Sequence, residues 1–373
     1  MPIDLTKMPK LGFGLMRLPE KDGAIDHEQV CKMVDEYISA GLNYFDTAYV
    51  YHGGNSEVEA GKAIVARYPR ESFYLASKLP AWSIKSFEER DRIFNEQLSR
   101  ATVDYFDFYL LHSLEDGYNY ETYEKFDCFN WALEQKAAGR IRHFGFSFHG
   151  TPELLVKVLD KHPEVEFVQI QLNYADWDDP IIQSGALYEI LSSRGIPIIV
   201  MEPVKGGTLA NLRPELADKF KQAAPDASAA SWALRFVASL PGVMTILSGM
   251  SNEEQMKDNI KTFGNFTPLS DGERAVIKEV TDIMHNVKLI GCTACRYCTD
   301  GCPMSINIPE IFKAVNALRL NDESWRAKNH YNRVTAAGGK AKDCIGCGQC
   351  EGVCPQHLPI IELIAEASSK LDG

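Results

Sequence analysis

The chain has 373 residues, 45% of them hydrophobic, and a formal charge of −12. Single cores stop growing near about 250–300 residues, so two domains are expected, and the acidic balance excludes the basic footprint of a nucleic-acid or anionic-membrane binder. No apolar run approaches the roughly 18 residues of a membrane helix, and Met1-Pro-Ile-Asp-Leu-Thr-Lys7 lacks the basic and apolar regions of a secretory signal, so a cytoplasmic protein with no membrane or nucleic-acid partner is expected.

Up to about residue 285, short runs rich in β-branched and aromatic residues alternate with segments of helical period, the pattern of repeated β-α units. Strands are predicted near 11–18, 42–48, 73–79, 105–112, 141–148, 165–174, 196–204 and 244–250. Helices are predicted over 27–40, 57–68, 87–101, 123–138, 152–159, 180–193 and 229–240, with two more over 251–263 and 270–285. Eight such units make a (β/α)8 TIM barrel over residues 1–285. The doubly wound alternative needs a GxGxxG turn after its first strand, and Gly12-Phe-Gly14 lacks the third glycine. Residues 286–373 then form a second, small and mainly helical domain, with helices over 308–320 and 359–371.

Two cysteine runs share one spacing in that second domain: Cys292, Cys295, Cys298 and Cys302 before Pro303, and Cys344, Cys347, Cys350 and Cys354 before Pro355. Three thiolates spaced C-x2-C-x2-C can each reach a different iron of one cubane, whereas zinc ribbons use two separated pairs and disulfide frameworks need an oxidising compartment. The runs resemble those of bacterial two-cluster ferredoxins. That resemblance implies two 4Fe-4S clusters in crossed pairing, one on Cys292, Cys295, Cys298 and Cys354, the other on Cys344, Cys347, Cys350 and Cys302. The remaining cysteines, Cys31 and Cys128, lie in amphipathic helix patterns and read as buried small apolar residues.

In a TIM barrel the chemistry sits at the C-terminal ends of the strands. The second predicted strand ends in Asp46 and its loop carries Tyr51; the third ends in Lys78 and the fourth in His112. Singly, each has a plain explanation as a cap, a snorkelling lysine, a satisfied histidine or a loop tyrosine. Together they place a phenol, an ammonium, an imidazole and a carboxylate on adjacent strand ends. An ammonium lowers a phenol's pKa, a carboxylate fixes the ammonium, and a histidine can donate to a carbonyl oxygen. The stretch from Gly41 to Tyr51, with Ser56-Glu57, Ser77-Lys78 and Leu111-His112, resembles the aldo-keto reductase superfamily over the whole barrel. The resemblance implies Tyr51 as general acid and base, Lys78 as its partner, Asp46 as the lysine's anchor and His112 as the carbonyl-orienting donor, with hydride supplied by NADP(H) or NAD(H).

It also implies nucleotide contacts. Ser147 and Gln169 stand where the family holds the nicotinamide carboxamide, and Glu202, Pro203, Val204, Lys205 and Gly206 resemble the loop that wraps the pyrophosphate. Gly249, Ser251, Gln255, Asp258 and Asn259 resemble the adenosine-binding segment. Met201 replaces an aromatic ring common in the family, and Gly249 and Gln255 stand where others place Lys and Arg for a 2′-phosphate, so the resemblance does not choose between NADPH and NADH. Three readings follow: a carbonyl reductase or alcohol dehydrogenase with structural clusters; a flavin-gated oxidoreductase linked to a ferredoxin-like electron partner; and a nucleotide-binding redox sensor. The substrate class is a small-molecule carbonyl or alcohol, broadly a hydrophobic aldehyde, ketone or quinone. Trp82, Tyr118 and Trp177 are candidate pocket aromatics.

Overall fold

A computed structural model describes residues 5–372, apart from 116–117, 180, 265, 285–288, 293 and 321–324. It divides into two compact units, Met1–Trp177 with Ile182–Lys278, and Asp178–Ile181 with Glu279–Gly373. The expected boundary between 285 and 286 lies outside the described residues.

In the first unit eight strands close a barrel in sequence order: β1 (Leu11–Gly14), β2 (Tyr44–Asp46), β3 (Tyr74–Pro80), β4 (Phe106–Leu114), β5 (Ile141–Phe148), β6 (Phe167–Gln171), β7 (Ile198–Met201) and β8 (Val243–Ser248). All neighbours are parallel, and β1 pairs with both β2 and β8. This is the (β/α)8 architecture. Several strands are shorter than predicted, because residues such as Thr47 to Tyr51 leave the ladder to build the barrel mouth.

Side chains alternate across a strand, so one parity fills the barrel and the other meets the helices. Tyr44, Ala76, Phe108, Leu110, Phe167, Ile199, Met244 and Leu247 form one buried cluster. The opposite parity, including Phe45, Leu75, Tyr109, Phe146, Val168 and Val200, joins the larger helix-facing core. Continuing the inner parity along each strand leads to Asp46, Lys78, His112, Ser147 and Gln169. The residues of interest therefore form the top layer of the barrel interior.

The helices follow their capping chemistry. Asp26 accepts from the Gln29 amide at 3.1 Å to start His27–Ser39, whose buried face is Val30, Met33, Val34 and Tyr37. Ser86 starts Phe87–Ala101 in the same way. The helix predicted over 123–138 is instead two, Tyr118–Lys125 and Cys128–Ala137, because Asp127 turns left-handed at φ 51° between them. The one predicted over 57–68 begins as Asn55–Ala60 and widens into a π turn over Gly61–Val65. The helix predicted from 180 is Ser184–Ser193, and residue 180 lies outside the described residues. An unanticipated helix, Pro214–Ala223, carries proline in its first turn and buries Leu216 and Phe220. No helix among the described residues is long and apolar enough to cross a membrane.

The second unit has its own core of Ile306, Ile308, Ile311, Phe312, Val315, Leu318, Ala327, Tyr331, Ile360, Ile364 and Leu371. Helices Ile308–Leu320, Trp325–Val334 and Ile360–Leu371 supply most of it. The unit repeats itself with an offset of 52 residues, Cys292 onto Cys344. Ala294 and Arg296 flank Cys295 with φ of 53° and 66°, and Gly346 and Gly348 flank Cys347 with φ of 66° and 77°. Each run continues through a short turn, Tyr297–Asp300 or Gln349–Gly352, and then through a left-handed residue, Ser305 or His357, into its helix.

Candidate functional site

Lys78 is fully buried, and its ammonium donates to Asp46 Oδ1 at 2.5 Å, to the Thr47 carbonyl at 2.8 Å and to the Tyr51 hydroxyl at 3.3 Å. Three donors and three acceptors saturate the group and fix it in place. Burial acts to discharge the lysine, but Asp46 and then Tyr51 outweigh it and hold its pKa above the ordinary value. Burial pushes the Asp46 carboxyl up while Lys78 pulls it back, and the pair stays ionised because each is the other's counter-ion. Tyr51 reaches the ammonium because the loop after β2 folds back through left-handed His52, Gly53 and Gly54, at φ of 50°, 64° and 94°. Burial pushes the Tyr51 phenol above its ordinary value, and Lys78 opposes that shift. The net direction is upward, the reverse of what the lysine alone dictates.

His112 lies edge-on to the Tyr51 ring, with centroids 5.9 Å apart at 81°. Burial, and then Lys78, hold its pKa well below the ordinary value, so the imidazole is neutral at neutral pH. Its Nδ1 is buried without a hydrogen-bond partner. The indole of Trp82, 42% exposed, packs on it at 5.2 Å. Trp177 instead packs against Tyr188 and Phe236, and the Tyr118 side chain is outside the described residues.

A polar layer behind Lys78 carries residues for which the sequence suggested no role. The buried Glu57 carboxylate accepts from Ser77 Oγ at 2.6 Å and Gln97 Nε2 at 2.7 Å, while Gln97 Nε2 also donates to the Lys78 carbonyl at 3.0 Å. Tyr109 donates to Gln97 Oε1 at 2.5 Å, and Arg100 approaches Glu57 Oε2 at 3.4 Å. The signal was available: Gln97 sits on the buried face of its helix with Ile93, Phe94, Leu98 and Ala101, where an apolar residue is the default.

The expected nucleotide residues divide. Ser147 Oγ accepts from the Ser113 amide at 2.7 Å, and Gln169 Oε1 is buried without a partner one strand away, in register with Ser147. Lys205 is committed elsewhere: its ammonium is paired with the fully buried Asp176, which also accepts from Gln171 at 2.6 Å and Asn173 at 2.7 Å. The loop cation in reach is Arg17, whose guanidinium stands 3.7 Å from Glu202 and whose stem lies against Gly249. Pro203 is buried, Val204 packs on the core, and Gly206 turns left-handed at φ 63°. Ser251 Oγ donates to the Arg17 carbonyl at 2.8 Å, and its amide donates to Gln255 at 2.8 Å. Asp258 accepts from Ser228 at 2.6 Å and Asn259 donates to Ser248 at 2.6 Å, so both are held by neighbouring elements.

In the second unit the eight cysteines line two cavities. Cys302, Cys344, Cys347 and Cys350 surround one, walled by Met304, Ile306, Ile345, Ile361 and Ile364. Cys292, Cys295, Cys298 and Cys354 surround the other, with Arg296, Pro309, Phe312, Gln356 and Leu358. Ile308 and Ile360 line both. Among the described residues no three ligating side chains converge on a single metal-ion point. Four sulfurs set around an apolar hollow suit a cubane, whose irons are separate, better than a tetrahedral zinc.

Comparison with known proteins agrees with both units. The profile described as "Aldo/keto reductase family" matches residues 10–282, and that described as "4Fe-4S dicluster domain" matches 291–358. L-galactose dehydrogenase of Arabidopsis thaliana is 25% identical over 305 residues, covering 76% of this chain and 92% of that one. The holo form of an aldo-keto reductase from Bacillus halodurans superposes with a TM-score of 0.56 at 26% identity, covering 73% of this chain and 91% of that one. An aldo-keto reductase from Klebsiella pneumoniae, solved with NADPH, shares the fold at a TM-score of 0.58 and 24% identity over 74% of this chain and 91% of that one. With a closed parallel barrel and a family match over most of its length, the chain belongs to the aldo/keto reductase family of oxidoreductases, and it carries a C-terminal 4Fe-4S dicluster domain.

Proposed function

We propose that this protein transfers hydride between a nicotinamide nucleotide and a carbonyl or alcohol, with Tyr51 as the general acid and base. The observation that carries the reading is the saturated Lys78 ammonium, which bridges Asp46 and Tyr51 beside a neutral imidazole with a free ring nitrogen. In reduction a nicotinamide held by Ser147 and Gln169 would supply the hydride, and the carbonyl oxygen takes the Tyr51 proton. In oxidation both move the other way, and a phenolate at Tyr51 accepts the hydroxyl proton. His112 donates to the oxygen and orients it, and Lys78 stabilises the phenolate by proximity. Ser147 and Gln169 are placed to hold the carboxamide, with the free Gln169 oxygen as acceptor. The indole of Trp82 beside His112 favours a substrate with an apolar or ring-shaped body. A relative named L-galactose dehydrogenase brings a sugar hydroxyl within the same class.

The eight cysteines fit two 4Fe-4S clusters, one per cavity in crossed pairing. Such clusters accept single electrons, whereas a nicotinamide gives two at once, so we assign them first to holding the second unit folded. No contact among the described residues favours the flavin-gated reading, its ferredoxin-like partner or the sensor reading, and none of the three is carried further.

Tyr51→Phe tests the proposal. Removing a positioned acid typically costs about 10²–10⁴-fold in rate. The expected result is a loss of that size in carbonyl-reduction kcat with nucleotide affinity and cluster absorbance unchanged. Full activity in the variant overturns the assignment.

A further inference from the structure

We infer that the two clusters are electrically inequivalent, and that Arg296 makes the cluster held by Cys292, Cys295, Cys298 and Cys354 the easier to reduce. This rests on the two-cluster reading above. The internal repeat allows a position-by-position comparison. Arg296 follows Cys295 as Gly348 follows Cys347, and Glu351 follows Cys350 where Thr299 follows Cys298. The first run therefore carries Arg296 and Asp300, where Asp300 matches Gly352, and the second carries Glu351 alone.

Backbone conformation argues that the arginine is retained for its charge. Arg296 sits at φ 66°, with Ala294 at 53°, where the sister loop uses glycine at both positions. A non-glycine residue in that region is strained, so glycine is the less costly choice. Strain kept at a site points to function rather than folding. The guanidinium pairs with Glu310 at 3.3 Å, but Glu310 also holds Lys313 at 3.1 Å and His330 at 3.1 Å. Its single charge is divided, and the cationic character beside the cavity survives.

Arg296 lines the cavity of Cys292, Cys295, Cys298 and Cys354, whereas no charged side chain among the described residues lines the other. That other cavity is walled by Met304, Ile306, Ile345, Ile361 and Ile364, and Asp300, two residues from both Cys298 and Cys302, lines neither cavity. Reduction adds one negative charge to a cluster. A neighbouring cation stabilises that charge, while an apolar wall and nearby carboxylates oppose it. A single electron added to the pair therefore rests mainly on the cluster beside Arg296.

The test is an anaerobic potentiometric titration with dithionite as reductant, followed by electron paramagnetic resonance. Iron and sulfide are counted first, and a wild-type protein with fewer than two clusters fails the two-cluster reading instead. With both present, two one-electron steps are expected. Arg296→Gln lowers the upper step so that its reduced fraction at fixed potential falls about tenfold, a shift of about 59 mV, and leaves the lower step in place. Arg296→Lys keeps the upper step. Glu351→Gln raises the lower step alone, its amide oxygen preserving the 2.8 Å acceptance from the Ile361 amide. A single wild-type midpoint, no shift in Arg296→Gln, or both substitutions moving the same step overturns the inference.

Discussion

A phenol serves both directions of a carbonyl–alcohol reaction only if one environment tolerates both of its charge states. At Tyr51 burial favours the neutral form and Lys78 the phenolate, and burial wins. Because the pKa is raised from a value near 10, the phenol stays protonated throughout the neutral range. Carbonyl reduction, which needs the proton, is therefore expected to hold a flat kcat from about pH 7 to 10 and to fall only above that. Alcohol oxidation, which needs the phenolate, is expected to rise about tenfold per pH unit over the same range. Steady-state kcat profiles in both directions check this, and a reduction rate already falling at pH 8 contradicts it. Asp46→Asn leaves the Lys78 ammonium buried without a counter-charge, which costs about 3–5 kcal/mol when a buried pair is broken. A fall of that size in the unfolding free energy, read from urea denaturation, is expected. Asp46, Lys78 and His112 were legible because each lies near the end of a strand at the inner parity, and Tyr51 because it stands in the loop just beyond β2. The pairing of Lys205 with Asp176 was not, since those residues are brought together by two separate loops.

Short runs rich in β-branched and aromatic residues were enough to find all eight strands, because both faces of a barrel strand are apolar. Helix breaks were harder. Asp127 interrupts a continuous amphipathic pattern by turning left-handed, and nothing in its neighbours' hydropathy announces that. Helix Trp325–Val334 is polar on average, yet Ala327 and Tyr331, four residues apart on one face, are buried and the Tyr331 hydroxyl ties Ala341 at 2.8 Å and Asp372 at 2.7 Å. Glycine marks a tighter constraint on β5. A Cβ at Gly145 would lie 2.3 Å from the Phe167 carbonyl oxygen of β6, a backbone atom that cannot move without parting the two strands. Gly145→Ala is expected to destabilise the barrel by about 1–3 kcal/mol, the usual cost of overpacking. Because Ser147 and Gln169 are in register on the same two strands, nucleotide affinity should fall with it. A variant with wild-type urea midpoint and affinity contradicts both.

The two units draw on different sources of stability. The barrel's interior and its helix-facing shell are continuous apolar clusters that need nothing added. In the second unit the apolar core surrounds two hollows lined by eight cysteine sulfurs, and Ile308 and Ile360 face both. A hollow without a group to fill it forfeits packing contacts on every lining side chain. Ligand binding to the folded form alone adds its full free energy to stability, so the clusters are coupled to folding of this unit. Hydrogen exchange on holo protein and on protein stripped anaerobically of iron measures that coupling. Stripping is expected to abolish amide protection in helices Ile308–Leu320 and Ile360–Leu371 while β4 and β5 keep theirs. If both helices remain protected without iron, the unit folds on its apolar core alone, and the clusters must be explained by what they do with electrons.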